Sequence, residues 1–233
     1  SLYDVYYYPR VRYVRNPDKD YSKREKEYQK ESRVFSGSRR AHVRKLPEGS
    51  KAMAGIGCHF MSLWMNRSTS LFTHMGAEGA NWIGMSSFVE DSHIFQNIGD
   101  GTYNHSGLLA IRAAVASKVN ITYKILYNDA VAMTGGQPLD GVPTPQRISH
   151  QLYGEGVAKI ALVSDDIKKY SKKSEFSQIT SFHDRKELDS VQKDLRKIKG
   201  VTAIIYDQGC ATEKRRKRKR GIIKDPTNKV FIN

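Results

Sequence analysis

Asp100 stands in the run Asn-Ile-Gly-Asp-Gly-Thr-Tyr-Asn-His-Ser-Gly (97–107), and Asn128 follows Gly101 after a spacer of 26 residues. A carboxylate and an amide oxygen are hard ligands, and Mg²⁺ takes such oxygens together with water and substrate phosphate oxygens. Gly101 and Gly107 leave room for close backbone approach, and a helix entered here turns its first N–H groups toward an anion. The ligand this pattern asks for is a diphosphate clamped through a metal. Gly-Asp-Gly alone is also an ordinary turn, because Asp-Gly is common in turns. The Asn at that distance, followed by a second Gly-rich run Thr-Gly-Gly-Gln-Pro at 134–138, favours the site.

Six apolar runs could position these residues as strands: 52–57, 70–75, 93–99, 121–128, 159–165 and 202–208. Between the third and fourth, Leu108, Ile111 and Val115 recur at helical spacing. Strands alternating with helices predict an α/β fold with a doubly wound, mostly parallel sheet of about six strands. Ligands of such sheets sit at the carboxyl ends of the strands. Gly99-Asp100-Gly101, Asn128 and the 134–138 run all fall there. No internal repeat is visible.

A chain of 233 residues with 39% hydrophobic content can bury a sizeable core. No apolar run approaches the roughly 20 residues of a membrane span. Two cysteines, Cys58 and Cys210, make no disulfide framework and suit a reducing compartment. No charged-then-apolar leader is read, and the expected setting is cytoplasmic. The net charge of +15 belongs to the flanks: residues 1–50 hold 13 Lys/Arg against 7 Asp/Glu, and residues 201–233 hold 9 against 3. The middle is nearly balanced. The expected organisation is a basic, weakly patterned segment (1–45), an α/β domain (46–208) and a basic C-terminal segment (209–233).

Gly99-Asp100-Gly101, the 26-residue spacer and Asn128 resemble the fingerprint of thiamine diphosphate enzymes. The blocks GIGCHFMSLWM, MGAEGANWIG, GDGTYNHSGLLAIRAAVASKVNITYKILYNDAVAMTGGQP and EKRRKRKRG narrow the resemblance. They are similar to the diphosphate-binding domain of indolepyruvate (2-oxoacid):ferredoxin oxidoreductase, in its long fused form. The resemblance implies thiamine diphosphate and Mg²⁺ as cofactors. Asp100, the Asn128 side chain and the Ala130 carbonyl would bind the metal. Gly99, Gly101 and Thr102 would lie along the diphosphate, Gly57 and Cys58 beside the thiazolium ring, and Thr134, Gly135 and Gln137 over the cofactor. The implied activity is oxidative decarboxylation of a 2-oxoacid to an acyl-CoA, with electrons passing to ferredoxin. The implied partners are a pyrimidine-binding domain that supplies the activating glutamate, a gamma-type domain, ferredoxin and coenzyme A, in an oligomer. No catalytic acid is assigned within this chain; Cys58 and His105 are its candidate pocket contacts, and Glu78 fits the domain's own pattern.

The chain departs from that family at its cluster ligands. Phe35 and Ser38 stand where cysteines are expected, and Cys210 remains. One thiolate does not hold a four-iron cluster. A non-catalytic remnant of the same fold therefore stays open beside the enzyme. The seven consecutive basic residues 214–220 raise a second alternative, nucleic-acid binding, but no aromatic platform accompanies them. His59, His74 and His93 fit no zinc spacing and are read as ordinary histidines. Trp64 and Trp82 are read as packing residues.

Overall fold

A computed structural model describes residues 45–64, 68–128, 141, 143–209 and 211–224. Among them, seven strands form one sheet: β1 (Ala52–Met53), β2 (Thr69–Ser70), β3 (Ile94–Gly99), β4 (Ile121–Tyr127), β5 (Lys159–Ser164), β6 (Thr180–Asp184) and β7 (Val201–Asp207). Their order is β2-β1-β3-β4-β7-β5-β6, and every neighbouring pair is parallel.

The long central strands read as largely apolar runs because both of their faces are covered. Successive side chains alternate between those faces. Ile121, Tyr123, Ile125, Ile160, Leu162, Ala203 and Ile205 share one core with Trp82 of α1 (Ala80–Met85), Ile111 of α2 (Leu108–Ala116) and Ile148 of α3 (Pro145–Gly154). Leu126, Ala161, Val163, Ile204 and Tyr206 share the other with Leu188, Val191 and Leu195 of α4 (Leu188–Leu195). Helices on both faces make the sheet doubly wound, as the alternation in sequence predicts. Leu152 is fully buried, and cutting it to Ala costs about 2–5 kcal/mol. The basic helix α5 (Ala211–Lys219) follows β7. Among the described residues no helix is long and apolar enough to cross a membrane.

The structure revises several expected boundaries. β6 is a seventh strand that no apolar run announces: it lies at the sheet edge and is half-buried throughout. β1 stops at Met53 instead of reaching residue 57. A Cβ at Gly55 would lie 2.3 Å from the Asn97 carbonyl oxygen, so the chain turns where only glycine fits against β3. β2 covers 69–70, not 70–75. Two further helices carry local start signals. Thr144 accepts from the Arg147 N–H ahead of Pro145 in α3, and Asp184 and Glu187 form a capping box ahead of α4.

The topology also opens a crevice. The chain leaves β1 towards β2 but leaves β3 towards β4, so the loops at their carboxyl ends diverge.

Candidate functional site

Gly99 of β3 is in register with Leu126 of β4, which brings Asp100 and Asn128 to the same rim. Asp100 is buried, 5% exposed. Its Oδ2 accepts from the Asn128 backbone N–H (2.7 Å), and its Oδ1 from the Gly101 N–H (2.9 Å) and the Asn128 Nδ2 (3.2 Å). Three amide donors fix the carboxylate in one orientation. They also fix the Asn128 amide, since the reversed amide would set two oxygens against each other. With Nδ2 committed, Asn128 Oδ1 is buried and accepts nothing among the described residues. Such an oxygen costs about 1–3 kcal/mol until something fills it. A cation beside a carboxylate is what this oxygen suits, and the residues present fit a Mg²⁺ site.

Beyond Asp100 the chain runs through a helical turn (Asp100–Thr102) and a π turn (Tyr103–Gly107) into α2. π turns occur often at functional sites. Thr102 is buried. The buried Tyr103 donates to Gln151 Oε1 of α3 (3.1 Å), which anchors the turn. His105 is exposed on the turn, with its Nδ1 2.6 Å from Ser106 Oγ. Gly107 has a packing role beside the one its sequence position suggests. A Cβ there would lie 2.3 Å from Ile98 Cδ1, so this glycine lets the helix settle on β3.

On the opposite side of the crevice, Gly57 adopts φ +144° and Cys58 opens a 3₁₀ helix, Cys58–Trp64. The buried His59 ring lies between them and β3. A Cβ at Gly55, Gly57 or Gly99 would approach that ring to 2.7, 3.0 and 3.5 Å respectively. Gly55 and Gly57 thus leave room for an imidazole that Gly99 touches in ordinary contact, a role the sequence reading missed. Its only signal was the Gly-x-Gly-x-His spacing. Trp82 packs as expected, donating from Nε1 to the Asn120 carbonyl (3.0 Å). Trp64 does not: it is 59% exposed and touches Phe60 edge-on.

Glu78 is fully buried between these loops. Its Oε2 accepts from the Gly76 N–H (2.7 Å), and its backbone carbonyl accepts from the Tyr123 hydroxyl (3.0 Å). Its Oε1 is buried without a partner among the described residues. Burial pushes the carboxyl above its usual range, against the opposing pull of the Glu78, Gly76 and Ile56 amides and of His105. Phe35, Ser38, Ala130, Thr134, Gly135, Gln137 and Cys210 lie outside the described residues.

A parallel sheet with a buried Asp–Asn pair on its carboxyl rim is the setting of a ligand-binding α/β domain. Residues 55–206 match the model of the thiamine pyrophosphate enzyme, C-terminal TPP binding domain, and the chain belongs to that family. A curated relative from Thermococcus kodakarensis, indolepyruvate oxidoreductase subunit IorA, is 31% identical over 173 residues, covering 73% of this chain and 23% of the relative. The subunit of the same name from Pyrococcus abyssi is 31% identical over 119 residues, covering 51% of this chain and 17% of that protein. The chain thus spans less than a quarter of the length of these relatives. The solved 2-oxoglutarate:ferredoxin oxidoreductase from Magnetococcus marinus shares the fold, with a TM-score of 0.52 and 19% identity over 70% of this chain and 55% of that one.

Proposed function

We propose that this chain is the diphosphate-binding domain of a thiamine-diphosphate-dependent 2-oxoacid oxidoreductase of the indolepyruvate type, delivering electrons to ferredoxin and the acyl group to coenzyme A. The observation that carries the reading is the Asn128 Oδ1, buried with no donor among the described residues, beside the oriented Asp100 carboxylate. Asp100, Asn128 Oδ1 and the Ala130 carbonyl would hold Mg²⁺. Gly99, Gly101 and Thr102 would line the diphosphate, Gly57 and Cys58 the thiazolium ring, and Thr134, Gly135 and Gln137 the far side. When bound, thiamine diphosphate supplies the carbanion chemistry that decarboxylates the 2-oxoacid.

The chain's own task is to bind and orient. The three amides on Asp100 hold a carboxylate ready for a cation, so little reorganisation accompanies loading. The diverging loops after β1 and β3 shape the crevice, and the buried rim excludes water from the metal's protein side. The activating glutamate, the gamma-type domain and the iron–sulfur clusters come from segments or chains beyond this one, in a cytoplasmic assembly.

A second reading, a remnant that keeps the cofactor fold without electron exit, is favoured by Phe35 and Ser38 at the expected cysteine positions. Calorimetric titration with thiamine diphosphate, with and without Mg²⁺, tests the cofactor. Binding only with the metal is expected; folded protein that binds nothing overturns the proposal. Viologen reduction driven by a 2-oxoacid, in the assembled enzyme, separates the two readings: dye reduction supports the enzyme, and cofactor binding without it supports the remnant.

A further inference from the structure

The cofactor reading leaves Glu78 without a task, yet its position is built with care. The loop after β2 holds its carboxyl group through the Gly76 N–H, and the loops after β1 and β3 act on it through the field of the Ile56 amide and of His105. Gly76 has φ +94°, and a Cβ there would lie 2.4 Å from Ser106 Oγ, so the loop rests directly on the π turn. Gly79 has φ +91°, and a Cβ there would lie 2.4 Å from the Tyr123 hydroxyl that holds the Glu78 carbonyl. Two glycines in the left-handed region and a buried phenol thus lock one acid in place. A packed apolar side chain would occupy the same space at lower cost, because a buried carboxyl loses its hydration.

The chemistry of the open atom names its occupant. Glu78 Oε2 is used by Gly76, whereas Oε1 is buried and unpartnered among the described residues. A buried carboxyl kept neutral is a hydrogen-bond donor. It requires an acceptor, and a 2-oxoacid carries three oxygens. An ionised carboxylate at the same place would repel the substrate's own negative charge.

We propose that Glu78 contacts the substrate, its Oε1 donating a hydrogen bond to an oxygen of the bound 2-oxoacid, with His105 on the π turn as the adjoining polar wall. The contact rests on the 2-oxoacid reading above. It makes Glu78 a substrate-orienting residue distinct from the glutamate expected from the pyrimidine-binding domain.

The test uses the assembled enzyme containing the full chain, loaded with thiamine diphosphate and Mg²⁺. The probe is N-phenyloxamate, an unreactive 2-oxoacid isostere. Glu78→Gln keeps a neutral donor and is expected to bind the probe within about threefold of the wild type. Glu78→Leu removes the donor and is expected to weaken the probe roughly tenfold or more. Cofactor affinity should be unchanged in both. Equal probe affinity in Glu78→Leu and wild type overturns the proposal, as does a loss in Glu78→Gln that matches Glu78→Leu. Failure of the wild type to bind the cofactor with Mg²⁺ overturns the underlying reading as well. Should Glu78→Leu not fold, infrared difference spectra of the wild type with ¹³C-labelled glutamate decide. A protonated-carboxyl band that moves on adding the probe, and is missing from Glu78→Gln, is expected. A band that stays still marks Oε1 as merely water-bound and overturns the contact.

Discussion

Two aspartates stand on the same carboxyl rim, and the chain treats them differently. Asp207 ends β7 and Asp100 follows β3; both are buried, 4% and 5% exposed. Asp207 Oδ2 accepts from the Tyr170 hydroxyl (2.6 Å) and Ser164 Oγ (3.1 Å) and forms an ion pair with Lys169. The segment after β5 folds back over the rim and brings its own cation. Burial and the bond to Asp207 push the Tyr170 phenol far above its usual range, so it stays a donor at physiological pH. Asp100 is oriented by neutral amides, and the oxygen beside it, Asn128 Oδ1, has no donor among the described residues. Burial and residue type are therefore shared. The neighbours decide whether a rim carboxylate becomes a structural tie or half of the proposed metal clamp.

The sharpest way to break this contrast is Asp100→Ala. Metal-dependent affinity for thiamine diphosphate should fall by about 100-fold or more, and stability by about 1–3 kcal/mol, because the amides on Asp100 lose their acceptor. Calorimetry paired with denaturant unfolding measures both. Asp207→Asn should spare the affinity. Its folded fraction binds the cofactor normally, while stability drops by about 2–4 kcal/mol, because Lys169 and Tyr170 lose their acceptor charge; the half-exposed lysine keeps the cost below that of a fully buried pair. Gly107→Ala separates packing from ligand contact. Overpacking against Ile98 should cost about 1–3 kcal/mol in urea unfolding and leave cofactor affinity intact.

The smallest effects appear in the pH dependence of stability. His93, bonded to Thr122 Oγ1 at 2.7 Å, is lowered to about 4 by burial and by Arg196. The folded state prefers the neutral ring, so its contribution is complete above the ordinary histidine range. It fades as pH falls from about 6.5 towards about 4, at no more than about 1.4 kcal/mol per pH unit. His93→Gln should flatten that slope in thermal melts. Glu78 runs the other way: its raised carboxyl binds a proton more tightly when folded, and its cost grows as pH climbs through the carboxylate range. Glu78→Gln should therefore melt higher than the wild type at pH 8, with the gap closing in acid. A wild type as stable as the variant at pH 8 would remove the strain ascribed to this acid.

The long central strands were legible because burial on both faces writes apolar runs such as 160–163 and 203–206. The Asp100–Asn128 juxtaposition was legible from spacing, since adjacent parallel strands joined by one helix place their ends side by side. Edge strand β6 was not, because Thr180–Asp184 buries too little to show a pattern. Lys124 was equally hidden. It reads as a charge interrupting a strand, yet it is fully buried, donates to Gln192 Oε1 (2.8 Å) and lies over the Phe95 ring. Its partners are 68 and 29 residues away, beyond any local signal. The glycines taught the same lesson in the site. Gly55 makes room for the Asn97 carbonyl and Gly107 for Ile98, contacts that a count of glycines in a loop does not reveal.

The central claim is that Asn128 and Asp100 clamp a divalent cation with the cofactor. Its most direct test is the ¹⁵N spectrum of the Asn128 side-chain amide when Mn²⁺ replaces Mg²⁺. With thiamine diphosphate and Mn²⁺ together, the Asn128 resonances should broaden beyond detection. The side chain of Asn120, which holds Gly200 at the opposite end of the sheet, should stay sharp. An Asn128 signal that remains sharp while calorimetry shows the cofactor bound would place the metal elsewhere and contradict the account.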